Sequence, residues 1–168
     1  NINNNYNLNK SLKATLYSLF IPGSGQYLVN NDKSKGILFL GLEMRQNTEM
    51  IKSQTRDAIT EKQMMWYSSL VENEDLAFIW NTSSTEPTLL QRGTPEYYRW
   101  NFYILENFRM WENEYYQYQQ GLFDSSEFEP RLITWAGVLN RPMSLEWWQR
   151  AQRSFSPDFV SLMDSLIE

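Results

Sequence analysis

The chain of 168 residues contains neither cysteine nor histidine. Without cysteine it has no disulfide framework, no thiolate zinc site, no iron–sulfur cluster and no cysteine nucleophile. Without histidine it has no Ser-His-Asp triad, no proximal haem ligand and no metal motif of paired histidines. These absences exclude only the chemistry that depends on cysteine or histidine, and in the rest of the sequence we assign no catalytic residue, no cofactor-binding residue, no metal ligand and no cofactor.

The chain also lacks a continuous run of about 20 apolar residues, the length that a bilayer-spanning helix requires. Residues 14–31 carry no charge, but Pro22-Gly23-Ser24-Gly25 interrupts them. Proline and glycine oppose the continuation of a helix. A second apolar piece, residues 36–42, ends at Glu43. We therefore expect an N-terminal pair of short apolar helices, which are interfacial or re-entrant where a membrane is present.

The net charge of −5 is unevenly distributed along the chain. Residues 1–45 carry +3 (five basic, two acidic), and the remainder carries −8 (ten basic, eighteen acidic). A basic and apolar segment is typical of membrane surfaces, although five scattered solvated cations would give the same count. The acidic remainder disfavours nucleic acid, whose phosphates require lysine and arginine. We predict a membrane surface or inner membrane as partner, and no nucleic acid.

These patterns divide the chain into three parts. Residues 1–9 are rich in asparagine and are predicted to be a disordered leader. Residues 10–44 form an apolar, basic, membrane-associating segment, and residues 45–168 form a helical domain. The predicted membrane contacts are Leu16, Phe20, Ile21, Ile37, Phe39 and Leu40.

From Met44 onward, apolar residues recur with a helical period of about 3.6. The repeat is carried by Ile51, Thr55, Ile59, Trp66 and Leu70. It predicts one amphipathic helix over residues 45–71. A shorter helix should follow around Asp75–Trp80, with Asn73 as its N-cap. The polar composition of residues 81–93 predicts a loop.

The longest predicted helix has signals at both ends. Thr94 is a suitable N-cap, Pro95 suits the first helical position, and Gly121 suits a left-handed C-terminal cap. Shorter helices should follow near residues 128–139, where Pro130 starts or kinks the first turn, then from Ser144 and from Ser156. No segment alternates with period two over a useful length. The predicted fold is all-α, a small helical bundle around a long central helix at about residues 94–120.

Ten aromatic residues fall between Tyr97 and Tyr118. We interpret most of them as core, because aromatic side chains bury large areas. The alternative is an aromatic groove that takes a protein partner or a second copy of the chain, since tyrosine and tryptophan are favoured at interfaces. Trp147 is a further predicted contact residue. Base stacking is disfavoured, because Arg99 and Arg109 are the only cations in this helix.

Polar residues at spacings of three and four predict one stripe on the same helix. The stripe consists of Glu106, Arg109, Glu112, Asn113, Tyr116 and Gln117. Glu106 and Arg109 are placed for an ion pair. We interpret the stripe as a solvated face or a buried network. A sharper hypothesis makes Glu112 the carboxylate of a polar pocket, with Glu74 or Asp124 as a second acid.

Two parts of the chain resemble known bacterial proteins. Ser18–Tyr27, which contains Pro22-Gly23-Ser24-Gly25-Gln26, followed by Lys35–Gly41, resembles the Pro-Gly-x-Gly-Gln module of small bacterial membrane proteins. In that family a full transmembrane helix follows the Pro-Gly turn, whereas here the second apolar run spans only residues 36–42.

The helical domain resembles an uncharacterised family of small bacterial membrane-anchored helical proteins. The likeness rests on three motifs: Arg45-Gln46-Asn47-Thr48-Glu49, Trp111–Leu122, and Trp147-Trp148 leading to Phe155–Phe159. It implies a helical fold and a bacterial inner membrane location on the cytoplasmic face, but no reaction.

The sequence favours a membrane-associated helical domain with a noncatalytic interaction or scaffold role. The alternative is a soluble, cytoplasmic interaction module or homodimer that uses the aromatic helix 94–120. An enzyme whose reactive group is a carboxylate or a tyrosine is the third interpretation.

Overall fold

The computed structural model describes the backbone of residues 33–167 and the side chains of residues 37–167. These residues form six α-helices and no strand, which confirms the predicted all-α bundle. The helices are α1 (Lys33–Glu72), α2 (Glu74–Thr85), α3 (Pro95–Gln119), α4 (Ser125–Leu139), α5 (Pro142–Ala151) and α6 (Pro157–Asp164). The predicted leader, residues 1–9, and the first predicted apolar helix, residues 11–21, lie outside the described residues.

The chain divides into two compact units, residues 1–53 and residues 54–168. In the first unit the described residues all belong to α1. The second apolar piece, residues 36–42, is the beginning of α1 and not a separate short helix that ends at Glu43. The reason is local, because no proline or glycine interrupts residues 42–86 and the charged residues after Leu42 are good helix formers.

The central helix α3 begins and ends where its sequence signals predicted. The Thr94 hydroxyl accepts a hydrogen bond from the backbone N–H of Tyr97 at 3.2 Å, and Pro95 occupies the first turn. Beyond the helix, Gly121 adopts a φ of 69°, in the left-handed region that favours glycine. Both boundaries follow from residues that are neighbours in sequence.

Helix α2 is longer than predicted. Its N-cap is Asn73, as expected, and the Asn73 side chain accepts from the N–H of Leu76 at 3.0 Å. The helix continues through residues 81–85, which composition assigned to a loop. Thr82 and Ser83 are buried there, and the Ser83 hydroxyl donates to the carbonyl of Trp80 at 2.7 Å. Burial of this turn outweighs the weak helix propensity of serine and threonine.

Two predicted helix starts are corrected and one is confirmed. Helix α4 begins at Ser125, so Pro130 lies inside it. Helix α5 begins at Pro142 after the N-cap residue Arg141, and Ser144 is a buried residue of its first turn, not a cap. The proline signal at the first helical position therefore outweighs the serine signal. Helix α6 begins at Pro157 after Ser156, as predicted.

The core of the second unit is built on rings of α3. Trp100, Phe108 and Trp111 are buried, and the Phe108 ring stacks on Trp148 with ring centroids 5.2 Å apart. Trp111 stacks on Trp135 of α4, also at 5.2 Å. Of the ten aromatic residues between Tyr97 and Tyr118, only Tyr98, Phe102 and Tyr116 are exposed. The interpretation of this helix as core is therefore correct for most of its rings.

Candidate functional site

The predicted polar stripe does not form one site. Arg109 and Glu112 form an ion pair, with the guanidinium nitrogen 2.7 Å from the carboxylate. Glu106 is exposed, and within residues 37–167 it makes no ion pair with Arg109. The other three members of the stripe, Asn113, Tyr116 and Gln117, range from half-buried to exposed.

The Arg109–Glu112 pair instead holds the segment before α6. Arg109 donates to the carbonyl of Ser154 at 2.9 Å, and its guanidinium lies 4.2 Å from the ring centre of Phe155. The backbone N–H of Ser156 donates to Glu112 at 2.7 Å. Partial burial alone would raise the pKa of Glu112, but the hydrogen bond from Ser156 and the Arg109 charge outweigh it and lower that pKa. Glu112 is thus an ionised structural group.

The buried carboxylate of this helix is Glu114, which the stripe did not include. Its side chain is 0% exposed. It accepts a hydrogen bond from Gln63 at 2.9 Å and pairs with Arg131 of α4 at 3.1 Å. Burial raises the pKa of Glu114 against the opposing effect of Arg131 and Gln63. A sequence signal existed, because Glu114 continues the buried helical face of Ile104, Asn107 and Trp111.

A cavity of about 470 Å³ opens between α1, α2, α3 and α4 within the second unit. Tryptophan rings supply much of its wall: Trp66, Trp80, Trp111 and Trp135. Leu70, Met110 and Val138 add apolar surface. This volume lies in the range of about 300–1,000 Å³ that is typical of small-molecule sites. Sequence reasoning missed this site, because its walls come from four helices that are distant in sequence.

The charged groups of the cavity differ in how they are paired. Glu127 pairs with Arg56, and Arg131 pairs with Glu114. The Arg141 guanidinium lies 5.1 Å from the centre of the Trp80 ring, and no carboxylate within residues 37–167 pairs with it. Burial lowers the pKa of Arg141 from its ordinary value. The cavity therefore contains one half-buried cation without an anionic partner.

Two polar atoms of residues that line the cavity also lack a hydrogen-bond partner. They are Nδ2 of Asn107 and Nε1 of Trp66, and both are buried. Both are hydrogen-bond donors. Buried donors are normally paired, so an unpaired one is a departure that needs a physical explanation.

The geometry does not assemble a two-carboxylate pocket around Glu112 with Glu74 or Asp124. Glu74 lies in the first turn of α2 and Asp124 precedes α4, and both are exposed. Burial raises the pKa of Tyr103 to about 12, away from neutrality, which disfavours a role for its hydroxyl as a proton acceptor or nucleophile. Among residues 33–167, no group of three acidic side chains is placed to hold a metal ion.

The predicted membrane contacts are described only in part. Leu16, Phe20 and Ile21 lie outside the described residues. Ile37 is 71% exposed and Phe39 is also exposed, whereas Leu40 is half-buried. Two neighbours that the sequence analysis did not single out are also exposed, Leu38 at 65% and Leu42 at 52%. Within the part of the chain that the structure describes, no helix has the length and apolar character needed to cross a membrane.

The buried Trp147 corrects another prediction, since its indole N–H donates to Asn101 at 2.9 Å and its ring belongs to the core.

Comparison with family models, curated proteins and solved structures gives no match for this chain. The two resemblances drawn from the sequence stay predictions.

Proposed function

We propose that this protein is a noncatalytic helical domain that the beginning of α1 holds at the surface of an anionic phospholipid bilayer. The observation that carries the proposal is the exposure of Ile37, Leu38 and Leu42, which lie within two turns of one helix. Transfer of such clustered apolar side chains out of water lowers the free energy of the system. A bilayer surface is the occupant that fits them, because this beginning of α1 belongs to residues 1–45, the basic part of the chain.

The charge distribution supports an anionic surface. Lys33, Lys35 and Arg45 flank the apolar turns in sequence, with Asp32 and Glu43 as the nearby acids. Each cation near an anionic membrane contributes about 1 kcal/mol to binding. Residues 46–168 carry a charge of −8, which disfavours contact of the helical domain with the same lipids. The cytoplasmic face of a bacterial inner membrane is the location that we propose on this basis and on the sequence resemblance.

The noncatalytic part of the proposal rests on how the carboxylates are engaged. Glu112 is tied to Arg109 and to the Ser156 backbone, and Glu114 is tied to Arg131 and Gln63. A general base must be free to take a proton from a substrate. Both carboxylates instead connect helices, which suits an interaction or scaffold role.

Flotation of the full chain with phosphatidylcholine–phosphatidylglycerol vesicles tests the proposal. We expect wild type to float, and the triple variant Ile37→Gln/Leu38→Gln/Leu42→Gln to bind about 100-fold more weakly. Full burial of one such side chain contributes about 1.5–3 kcal/mol, so half-burial of three accounts for this loss. Vesicles of phosphatidylcholine alone should bind less, because the cations then find no anionic partner.

The matched control replaces three exposed apolar residues of the second unit, Val71→Gln/Leu89→Gln/Ile133→Gln. This variant changes the same kind of surface by the same kind of substitution, and should float like wild type. The proposal is wrong if wild type fails to float, or if the two triple variants lose binding equally.

A further inference from the structure

We propose that the cavity between α1, α2, α3 and α4 binds a small organic anion with a flat apolar body, and that its anionic group lies against Arg141. The proposal goes beyond membrane attachment and concerns only the second unit. It rests on a juxtaposition: Arg141, whose guanidinium has no carboxylate partner in the described chain, lines a cavity whose wall also contains four tryptophans.

The aromatic residues that line the cavity indicate the shape of the apolar part of the ligand. Trp66, Trp80 and Trp135 line the cavity, and Met110 and Val138 add apolar surface beside polar residues such as Gln63 and Thr134. Aromatic rings prefer offset-stacked or edge-to-face neighbours with centroids about 4.5–7 Å apart, so a flat unsaturated body fits between them. A volume of about 470 Å³ accommodates a body of one or two fused rings with a short substituent.

The unpaired guanidinium of Arg141 indicates which polar group the ligand carries. Arg141 is a cation without a carboxylate partner in the described chain, whereas Arg131 and Glu127 already have ionic partners. A guanidinium matches a carboxylate or a related planar anion by two parallel hydrogen bonds. Nδ2 of Asn107 and Nε1 of Trp66 are shielded from solvent, so the guanidinium of Arg141 is the donor group that an anion in the cavity contacts. A cationic ligand would be repelled by Arg141.

Isothermal titration calorimetry of the full chain with 2-naphthoate and 2-naphthylmethanol tests both features. The two probes share a ring system, but only the first carries a carboxylate. We expect naphthoate to bind about tenfold or more tightly than the alcohol, because a hydrogen bond to a charged group contributes a factor of at least this size. Equal binding of the probes, or no binding of either, would overturn the proposal.

Three variants locate the binding site. Arg141→Gln should lower the affinity for naphthoate about tenfold and leave that for the alcohol unchanged. Arg153→Gln is the matched control, because Arg153 is exposed and does not line the cavity; it should bind both probes as wild type does. Trp80→Leu should weaken the binding of both probes, since it removes an aromatic ring from the wall of the cavity.

Circular dichroism first establishes that each variant is folded. If Arg141→Gln does not fold, the wild-type comparison of the two probes and the Trp80→Leu variant decide the question. Equal weakening by Arg141→Gln and Arg153→Gln would overturn the proposal, because the effect would then be one of net charge. Unchanged naphthoate binding by folded Arg141→Gln would overturn it too.

Discussion

Replacement of Arg131 by methionine should lower the free energy of unfolding by about 3–5 kcal/mol at pH 7. The variant leaves Glu114, which is fully buried, with Gln63 as its remaining hydrogen-bond donor. An isolated buried charge is strongly unfavourable, whereas a paired one is tolerated. Methionine retains an apolar stem over the ring of Phe123, where the Arg131 guanidinium now lies at 4.7 Å, so lost packing contributes little.

The loss of stability caused by Arg131→Met should be smaller at acidic pH than at neutral pH. Burial holds the pKa of Glu114 above its unfolded value, so the folded state binds its proton more tightly than the unfolded state does. The stability from this proton is fully present below the unfolded carboxyl pKa, and it is lost as the pH rises through the folded pKa. Removal of Arg131 raises the folded pKa further. The difference in unfolding free energy between Arg131→Met and wild type should therefore be smallest at about pH 4 and increase toward neutral pH.

Urea denaturation of a double-mutant cycle measures the pair. Arg131→Met/Glu114→Met should recover most of the lost stability, because an apolar pair replaces a buried ionic pair at little net change. The control is Arg99→Met, which breaks an exposed pair with Asp75 and should change stability by about 0–1 kcal/mol. If Arg131→Met were as mild as Arg99→Met at pH 7, the burial of Glu114 would be contradicted.

Truncation of Trp148 to alanine should cost about 3–5 kcal/mol of unfolding free energy. The Trp148 ring is fully buried, stacks on Phe108 of α3 and meets Phe159 of α6 edge-on. Its indole N–H also donates to Asp164 at 2.9 Å, at the end of α6. The Trp148 side chain thus connects α5 to α3 and α6, and its replacement by alanine leaves a large cavity between these helices.

Thermal unfolding monitored by circular dichroism checks this prediction. Trp148→Phe keeps a ring and loses the hydrogen bond, so it should lie between wild type and Trp148→Ala. Phe102→Ala removes an exposed ring from α3 and should be nearly neutral. A loss from Trp148→Ala no larger than that from Phe102→Ala would show that the rings of α3 do not face a common core.

Local signals explain why parts of the fold were predictable from sequence. Thr94, Pro95 and Gly121 determine the ends of α3 through contacts with residues within one turn. The extension of α2 through residues 81–85 was not predictable in this way, because it depends on the burial of Thr82 and Ser83 against the rest of the unit. The same holds for α5, where two start signals competed and proline at the first position prevailed over Ser144.

The contacts of Glu114 and the candidate cavity could not be predicted from neighbouring residues either, because both depend on residues that are distant in sequence. Glu114 is 51 residues from Gln63 and 17 from Arg131 along the chain, and neither spacing has a helical or strand meaning. The cavity likewise depends on which faces of α1 and α4 meet α3. By contrast, the apolar turns at residues 37–42 are a continuous sequence feature, so their location could be identified from the sequence alone.

The proposed attachment to membranes is tested most directly by a spin label on the apolar turns. The chain contains no cysteine, so Leu38→Cys and Ile133→Cys each give one unique labelling site on an exposed apolar position. Power-saturation electron paramagnetic resonance with phosphatidylcholine–phosphatidylglycerol vesicles should show the label at position 38 shielded from water-soluble relaxants and accessible to oxygen. The label at position 133 should stay exposed to water. Water exposure of both labels in the presence of vesicles would contradict the account.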